Sequence, residues 1–253
     1  MNIARYALIF LLLFTGSTVL AQDEPSDATL LTTLDEVRFF DADVTGLRAR
    51  IVSETPDTLR EAEVVLRFGE VDGEPASRIE FLMPEELAGQ LYISVPAGTY
   101  FFGPDLDSPI RVGATTEVFG DSAVAQTSGI RFADDYTVTA QRNVETDDGT
   151  EVLEVDLAAN DFTVAFQVIT VRVDPESKQP ISAVLYAVSG LPFYEVFYEE
   201  YVTRNESDLY VRTQRIVNRL LLGRVTLSET LELYDEIQDP NLFDPTVLGA
   251  GNP

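Results

Sequence analysis

The sequence predicts a mainly β (α+β) fold, with one N-terminal helix followed by roughly ten antiparallel strands in a single domain. Three observations carry this. Hydropathy alternates with period two through most of the chain after residue 43. Turn chemistry interrupts the alternation at short intervals, at Val71-Asp72-Gly73, Pro96-Ala97-Gly98, Asp147-Asp148-Gly149, Asp174-Pro175 and Asn205-Glu206-Ser207. Little helical periodicity separates the strands, so connections are meanders and not βαβ crossovers.

The chain opens with Arg5, an apolar run from Ala7 to Phe14, and the small-residue pattern Val19-Leu20-Ala21. This is the pattern of a secretory signal peptide cleaved after Ala21. The apolar run is too short for an uncleaved anchor, which needs about 20 residues to span. Export then places the chain in the periplasm. Gln22 to Pro25 form a short tether, 26–248 a single domain without linker or repeat, and 249–253 a flexible tail.

Ser26 or Asp27 can cap a helix whose apolar positions Leu30, Leu34 and Val37 recur at helical spacing, beside Leu31. Alternation follows. Ala62, Val64, Leu66 and Phe68 interleave with Glu61, Glu63, Val65 and Arg67. Ile79, Phe81 and Met83 interleave with Arg78, Glu80 and Leu82. Leu153, Val155 and Leu157 interleave with Val152, Glu154 and Asp156. Near the end, Val225, Leu227, Leu231 and Leu233 interleave with Thr226, Ser228, Thr230 and Glu232. Each pattern predicts a strand with its apolar set on a dry face. Gly113 to Gln126 breaks the pattern and predicts a loop with a helical turn or two.

Composition excludes several functions. With no cysteine, the chain has neither a lipidated mature N-terminus nor disulfides, and its core must hold it together. Its 17 basic and 43 acidic residues give a net charge of −26, a field that repels nucleic acid and anionic membrane surfaces at long range, though salt screens it beyond about 10 Å. The 45% hydrophobic content, with 10 Tyr and 15 Phe, argues against a solvating tail. Histidine is absent too, which removes Ser-His-Asp and Cys-His triads and imidazole or thiolate metal sites. Lys178 is the lone lysine and lies in the Pro175–Pro180 turn, as a surface lysine would. Carboxylate pairs are too numerous to point anywhere. Asp41-Ala42-Asp43-Val44-Thr45-Gly46 resembles the start of a calcium loop, but Val52 stands where the closing glutamate is needed. Asn205-Glu206-Ser207 matches a glycosylation acceptor in a turn. No catalytic residue, metal site or cofactor is expected, and the chain is read as no enzyme.

The informative constellation is apolar. Phe193 to Tyr201 carries five aromatic rings in nine residues, on both phases of the strand, and Tyr100-Phe101-Phe102 repeats the theme. Two buried strands would explain this, as would a greasy groove with phenolic rims for an amphiphile. One helix is little cover for so many strands, so the sheet either closes into a filled barrel or stays open around a cavity.

A series of short motifs narrows the choice. Phe81-x-x-Pro84 and Gly89 precede Tyr100-Phe101-Phe102-Gly103-Pro104 and Arg111-Val112. Gly120-Asp121-Ser122, Ser128-Gly129-x-Arg131-Phe132 and Asp134-Asp135-Tyr136 come next, and the chain closes with Asp239-Pro240-x-Leu242-Phe243-x-x-x-Val247-Leu248. Over about residues 26 to 248 this resembles the outer-membrane lipoprotein-sorting proteins, relatives of the periplasmic carrier LolA. The resemblance implies a curved, incomplete antiparallel β-barrel with a helical lid over an apolar cavity that binds the acyl chains of lipoproteins or lipids. Leu30, Leu34 and Val37 would face the cavity from the lid, and Thr115 to Gln126 would form a second cover. Leu66, Phe68, Phe81, Tyr100, Phe102, Tyr194, Val196 and Tyr198 would line it. An inner-membrane exporter and an outer-membrane acceptor would be the handover partners. Arg48 and Arg50 match no motif of the family, and no arginine is assigned to the cavity. The acidity departs from a carrier that docks through basic patches. A ligand-occupancy sensor of the same fold, or a structural secreted β-protein, are the alternatives.

Overall fold

The Ser26 Oγ accepts from the Thr29 amide at 3.3 Å and caps helix α1, Asp27–Glu36. Capping falls to Ser26, while Asp27 occupies the first turn, where its charge suits the helix dipole. Val37, expected inside the helix, is the residue that ends it. The computed structural model describes residues 26–38, 44–113, 119, 130–204, 208–235 and 239–247. The signal peptide, the tether, Asp41 and Asp43, Asn205–Ser207, the tail and all of the 113–126 loop except Gly113 and Phe119 lie outside the described residues.

The described residues hold thirteen strands: β1 Gly46–Glu54, β2 Leu59–Val71, β3 Glu74–Met83, β4 Leu91–Val95, β5 Gly98–Phe102, β6 Ile110–Val112, β7 Tyr136–Glu145, β8 Glu151–Ala159, β9 Val168–Val173, β10 Pro180–Tyr186, β11 Pro192–Arg204, β12 Asp208–Asn218 and β13 Val225–Tyr234. A short helix α2, Phe132–Asp135, leads into β7, and a 3-10 turn, Pro240–Phe243, follows β13. The sequence count of roughly ten strands falls short because β4 to β6 are too brief to show a period.

All strands join one antiparallel sheet in the order β6-β5-β4-β3-β2-β1-β13-β12-β11-β10-β9-β8-β7. Two meanders therefore meet at β1 and β13, and the sheet stops at β6 and β7 without closing. A twisted sheet of this size curls. The chain passes from one free edge to the other between β6 and β7, through Phe119 and α2. Asp72 and Gly73, at φ 56° and 82°, make the tight β2–β3 turn that glycine allows and β-branched residues resist.

On β2, Ala62, Val64 and Leu66 are buried on one face as the alternation predicts, while Val65, expected on the wet phase, is buried on the other. The alternation is inverted on β13. There Thr226 and Thr230 are buried while Leu227 and Leu231 are exposed. Register is the reason: Thr226, Ser228 and Thr230 stand opposite Ser53, Ile51 and Ala49, the inward residues of β1. A bulge at Arg48/Ala49 then restores the phase, and Leu233 meets Leu47 and packs on the core. On β8, Glu154, expected on the wet phase, is also buried, held by Arg142 and Arg172.

The core lies on one face, called inner here. Leu30, Leu31 and Leu34 of α1 pack with Leu47 and Ile51 of β1, Val64 of β2, Phe81 of β3, Val155 of β8, Val171 of β9 and Tyr194 of β11. The outer face has a smaller cover. Phe243 is buried beneath the 3-10 turn, which contacts β2, β3 and β4, and Ala76 and Ile93 are buried on the same side.

Candidate functional site

The inner face and its cover form the candidate site. Gln141 of β7 donates to Asp27 at 2.6 Å, and two further ties hold the C-terminal end of α1. The Asp35 carboxylate accepts from the Phe132 and Ala133 amides, both at 2.8 Å, so one side chain of α1 holds the first turn of α2. Beyond the end of α1, the Val37 carbonyl accepts from the Val211 amide at 2.9 Å. That amide is available because β12 pairs with β13 only from Thr213 to Val217. Arg38 is buried beside them. Its Nη1 donates to the Ile130 carbonyl at 3.2 Å, lies 3.8 Å from Asp35, and its guanidinium sits 4.8 Å from the Phe132 ring centre.

Burial sets the electrostatics. Desolvation pushes the Asp35 carboxyl above its ordinary value, against the opposing pull of Arg38 and of the Ala133 and Phe132 amides. Burial likewise pushes up the phenol of Tyr198, which faces Arg38 and Asp35. The Tyr136 phenol donates to the Phe166 carbonyl at 2.9 Å and is also pushed up by burial. Tyr201 donates to the Pro180 carbonyl. Both Tyr198 and Tyr201 reach the core although they are three residues apart, which a regular strand forbids. Glu200 resolves this, with a φ of 37° that breaks the alternation between them.

Of the residues expected to line a cavity, Leu30, Leu34, Leu66, Phe81, Tyr194, Val196 and Tyr198 are buried together in one cluster, with Phe68 packed against it. Val37 is buried at the end of α1. Tyr100 and Phe102 are elsewhere. Ile79 pairs with Tyr92 and Tyr92 with Phe101, so Phe101 shares the inner face, while Tyr100 and Phe102 turn outward with Ile93 and Leu91. Phe119 is buried with its ring 6.1 Å from Phe81, and the rest of the loop from Thr115 to Gln126, read as a second cover, lies outside the described residues. Arg48 and Arg50 lie partly exposed and pair with Glu63 and Glu61.

The inner face also carries a hydroxyl seam that sequence reading missed. Ser53, Thr226, Ser228 and Thr230 line the β1–β13 junction, and the buried Ser53 Oγ has no hydrogen-bond partner among the described residues. Asp35 was missed as well, although an acid between Leu34 and the end of an apolar helix face is a visible signal. Among the described residues no cluster of three potential ligands could hold a metal, and no helix is long and apolar enough to cross a membrane.

A family model described as "Uncharacterized protein" matches residues 73–249, well over half of the chain. The chain belongs to that family. Solved structures give the fold its place. A LolA superfamily protein from Nitrosomonas europaea is 20% identical, covers 86% of this chain and 96% of its own, and superposes with a TM-score of 0.75. A domain assigned to outer membrane lipoprotein sorting from Vibrio parahaemolyticus is 16% identical, covers 87% and 97%, and gives 0.70. A DUF1329 family protein from Desulfovibrio piger is 14% identical, covers 86% and 95%, and gives 0.71. No curated protein matches the chain. The fold is LolA-like, and the unclosed sheet with helices over its inner face is the form the motif resemblance implied. Within this LolA-like fold, α1 and α2 pack against each other, with Leu30, Leu31, Leu34 and Phe132 in the inner-face cluster.

Proposed function

We propose that this LolA-like chain is a periplasmic carrier that buries the acyl chains of lipoproteins or lipids against its inner face and moves them between membranes. The observation that carries the reading is the cover. An unclosed thirteen-stranded sheet hides its apolar face under two short helices joined through one carboxylate, Asp35. Displacing α1 would uncover the cluster at Leu30, Leu34, Phe81, Tyr194 and Val196. An acyl chain could then take over the contacts of the helix. Each methylene hidden is worth about 0.8 kcal/mol, so a chain of about sixteen carbons gains on the order of 10 kcal/mol before ordering costs. The seam at Ser53, Thr226 and Thr230 offers hydroxyls to an ester or amide head group. So tight a hold requires partners that compete for the chain or open the lid, an inner-membrane exporter and an outer-membrane acceptor.

A second reading has an observation of its own. Leu34, Val64, Val155, Val171 and Val173 have no exposed surface, as in a filled barrel with a structural role. Native mass spectrometry of the chain purified from a bacterial periplasm separates the two. The carrier reading expects co-purifying acyl lipid or lipopeptide, lost on Leu34→Asp or Val37→Asp in protein that still folds. A clean apo mass, with no uptake of added lipid or lipopeptide, hands the case to the structural reading.

A further inference from the structure

Antiparallel hairpins place their turns alternately at the two ends of a sheet. The β1–β2, β12–β13, β10–β11 and β8–β9 turns all fall at one end, side by side in the strand order. Each carries exposed apolar side chains. Leu59 is 71% exposed, Leu222 86%, Val188 92% and Phe162 87%, with Leu220, Leu221 and Leu191 also exposed. The described turns at the other end hold Asp72-Gly73, Pro96-Ala97, Thr146 to Thr150 and Asp174 to Gln179, without one exposed large apolar residue.

This display is built, not frayed. Asn218 Oδ1 accepts from the Leu220 and Leu221 amides at 3.0 and 2.8 Å, and the Arg219 amide donates to the Phe193 carbonyl at 2.8 Å. Gly223, at φ 77°, lets the turn close against Pro56, which a Cβ there would approach to 3.1 Å. A groove of about 470 Å³ runs between Leu191 and Pro192 on one side and Arg219 and Leu220 on the other. Exposed apolar side chains gathered in four neighbouring turns are the kind of feature that marks an interaction surface.

We propose that this end of the sheet is a rim that docks on a phospholipid bilayer. One turn sets the occupant. Asn218-Arg219-Leu220-Leu221-Leu222-Gly223-Arg224 has an arginine on each side of its leucines and no carboxylate, whereas the other turns at this end carry Asp57, Glu85, Glu86, Asp105, Asp107 and Asp161. Arg219 pairs with Glu195, yet half its side chain remains exposed. Leucines entering below the head groups would bring both guanidinium groups to the level of the lipid phosphates. The docking does not require the interior to hold an acyl chain. Helix α2 lies at the same end, because β7 starts there opposite Ala159. A docked rim would therefore set the edge of the cover beside the membrane.

The absence of cysteine makes the test clean. The exported chain is prepared as Leu222→Cys and as Ser177→Cys at the opposite end, each labelled with an environment-sensitive fluorophore. Both are mixed with vesicles of phosphatidylethanolamine and phosphatidylglycerol. The rim predicts a blue shift at 222 and none at 177. It also predicts that the Leu221→Asp/Leu222→Asp variant, with an unchanged circular dichroism spectrum, partitions on the order of a hundredfold less in flotation. Failure of the wild-type chain to float overturns the proposal, as does a double variant that floats equally well. A dimer abolished by the double variant, without flotation, assigns the rim to self-association and overturns it too.

Discussion

Asp35 concentrates the problem of holding a cover on an apolar sheet. It sits among Leu31, Leu34 and Phe132, 6% exposed, and satisfies two amides at the start of α2. Replacement by alanine removes both acceptors and leaves Arg38 without its acidic neighbour. Asp35→Ala should therefore lower stability by about 2–4 kcal/mol, read from urea unfolding, and speed proteolysis near residues 130–135. Unchanged stability and cleavage would show that the cover is held otherwise. The sign of its titration is unusual for a carboxylate. Because burial raises its folded value above 3.8, the contribution of Asp35 is fullest below that pH and declines as pH rises through the raised value.

At the scale of elements, faces follow register more than hydropathy. β2 presents its apolar phase inward as its sequence suggests, whereas β13 turns Thr226 and Thr230 inward because β1 offers Ser53 and Ala49 there. Tyr100 and Phe102 point outward for the same reason, since Tyr92 pairs with Phe101. The C-terminal 3-10 turn depends on a missing side chain. A Cβ on Gly69 would stand 2.3 Å from the Phe243 ring, so Gly69→Ala must expel that ring from β2. The expected result is cleavage of the segment after Asp239 under mild proteolysis, with a loss of about 1–3 kcal/mol in global stability. A segment that stays protected would mean that the turn is anchored by the Arg78–Leu242 contact instead.

For the whole molecule, acid should be the limiting stress. Asp156 is held below the usual carboxylate range by its hydrogen bond from Arg142, with a further bond from Thr170. Hydroxyl and amide donors do the same for Asp148, Asp161, Asp174 and Asp244 in turns, as Arg50 does for Glu61. Depressed folded values mean that this stability is present above the unfolded values near 4 and is lost as pH falls through the folded ones. Asp35 and Asp135, both raised by burial, act in the opposite sense. Asp156→Asn should lose less stability than the wild type between about pH 6 and about pH 3, measured by urea midpoints. Equal losses would remove Asp156 from the acid limb.

Much was legible without a structure: the helix under Ser26, the period of two, the hairpin turns and a chemistry without histidine or cysteine. These are local properties, set by caps, turn residues and the alternation of neighbouring side chains. The motif order added the unclosed sheet and its cover. What only the tertiary structure decided is which face each strand shows, where Asp35 finds its two amides, and how Ser53 comes to lie beside Thr226. It also brought four apolar turns to one end of the sheet. Each depends on partners far away in the chain, and a strand's own residues do not state the register, bulge or crossing that selects those partners.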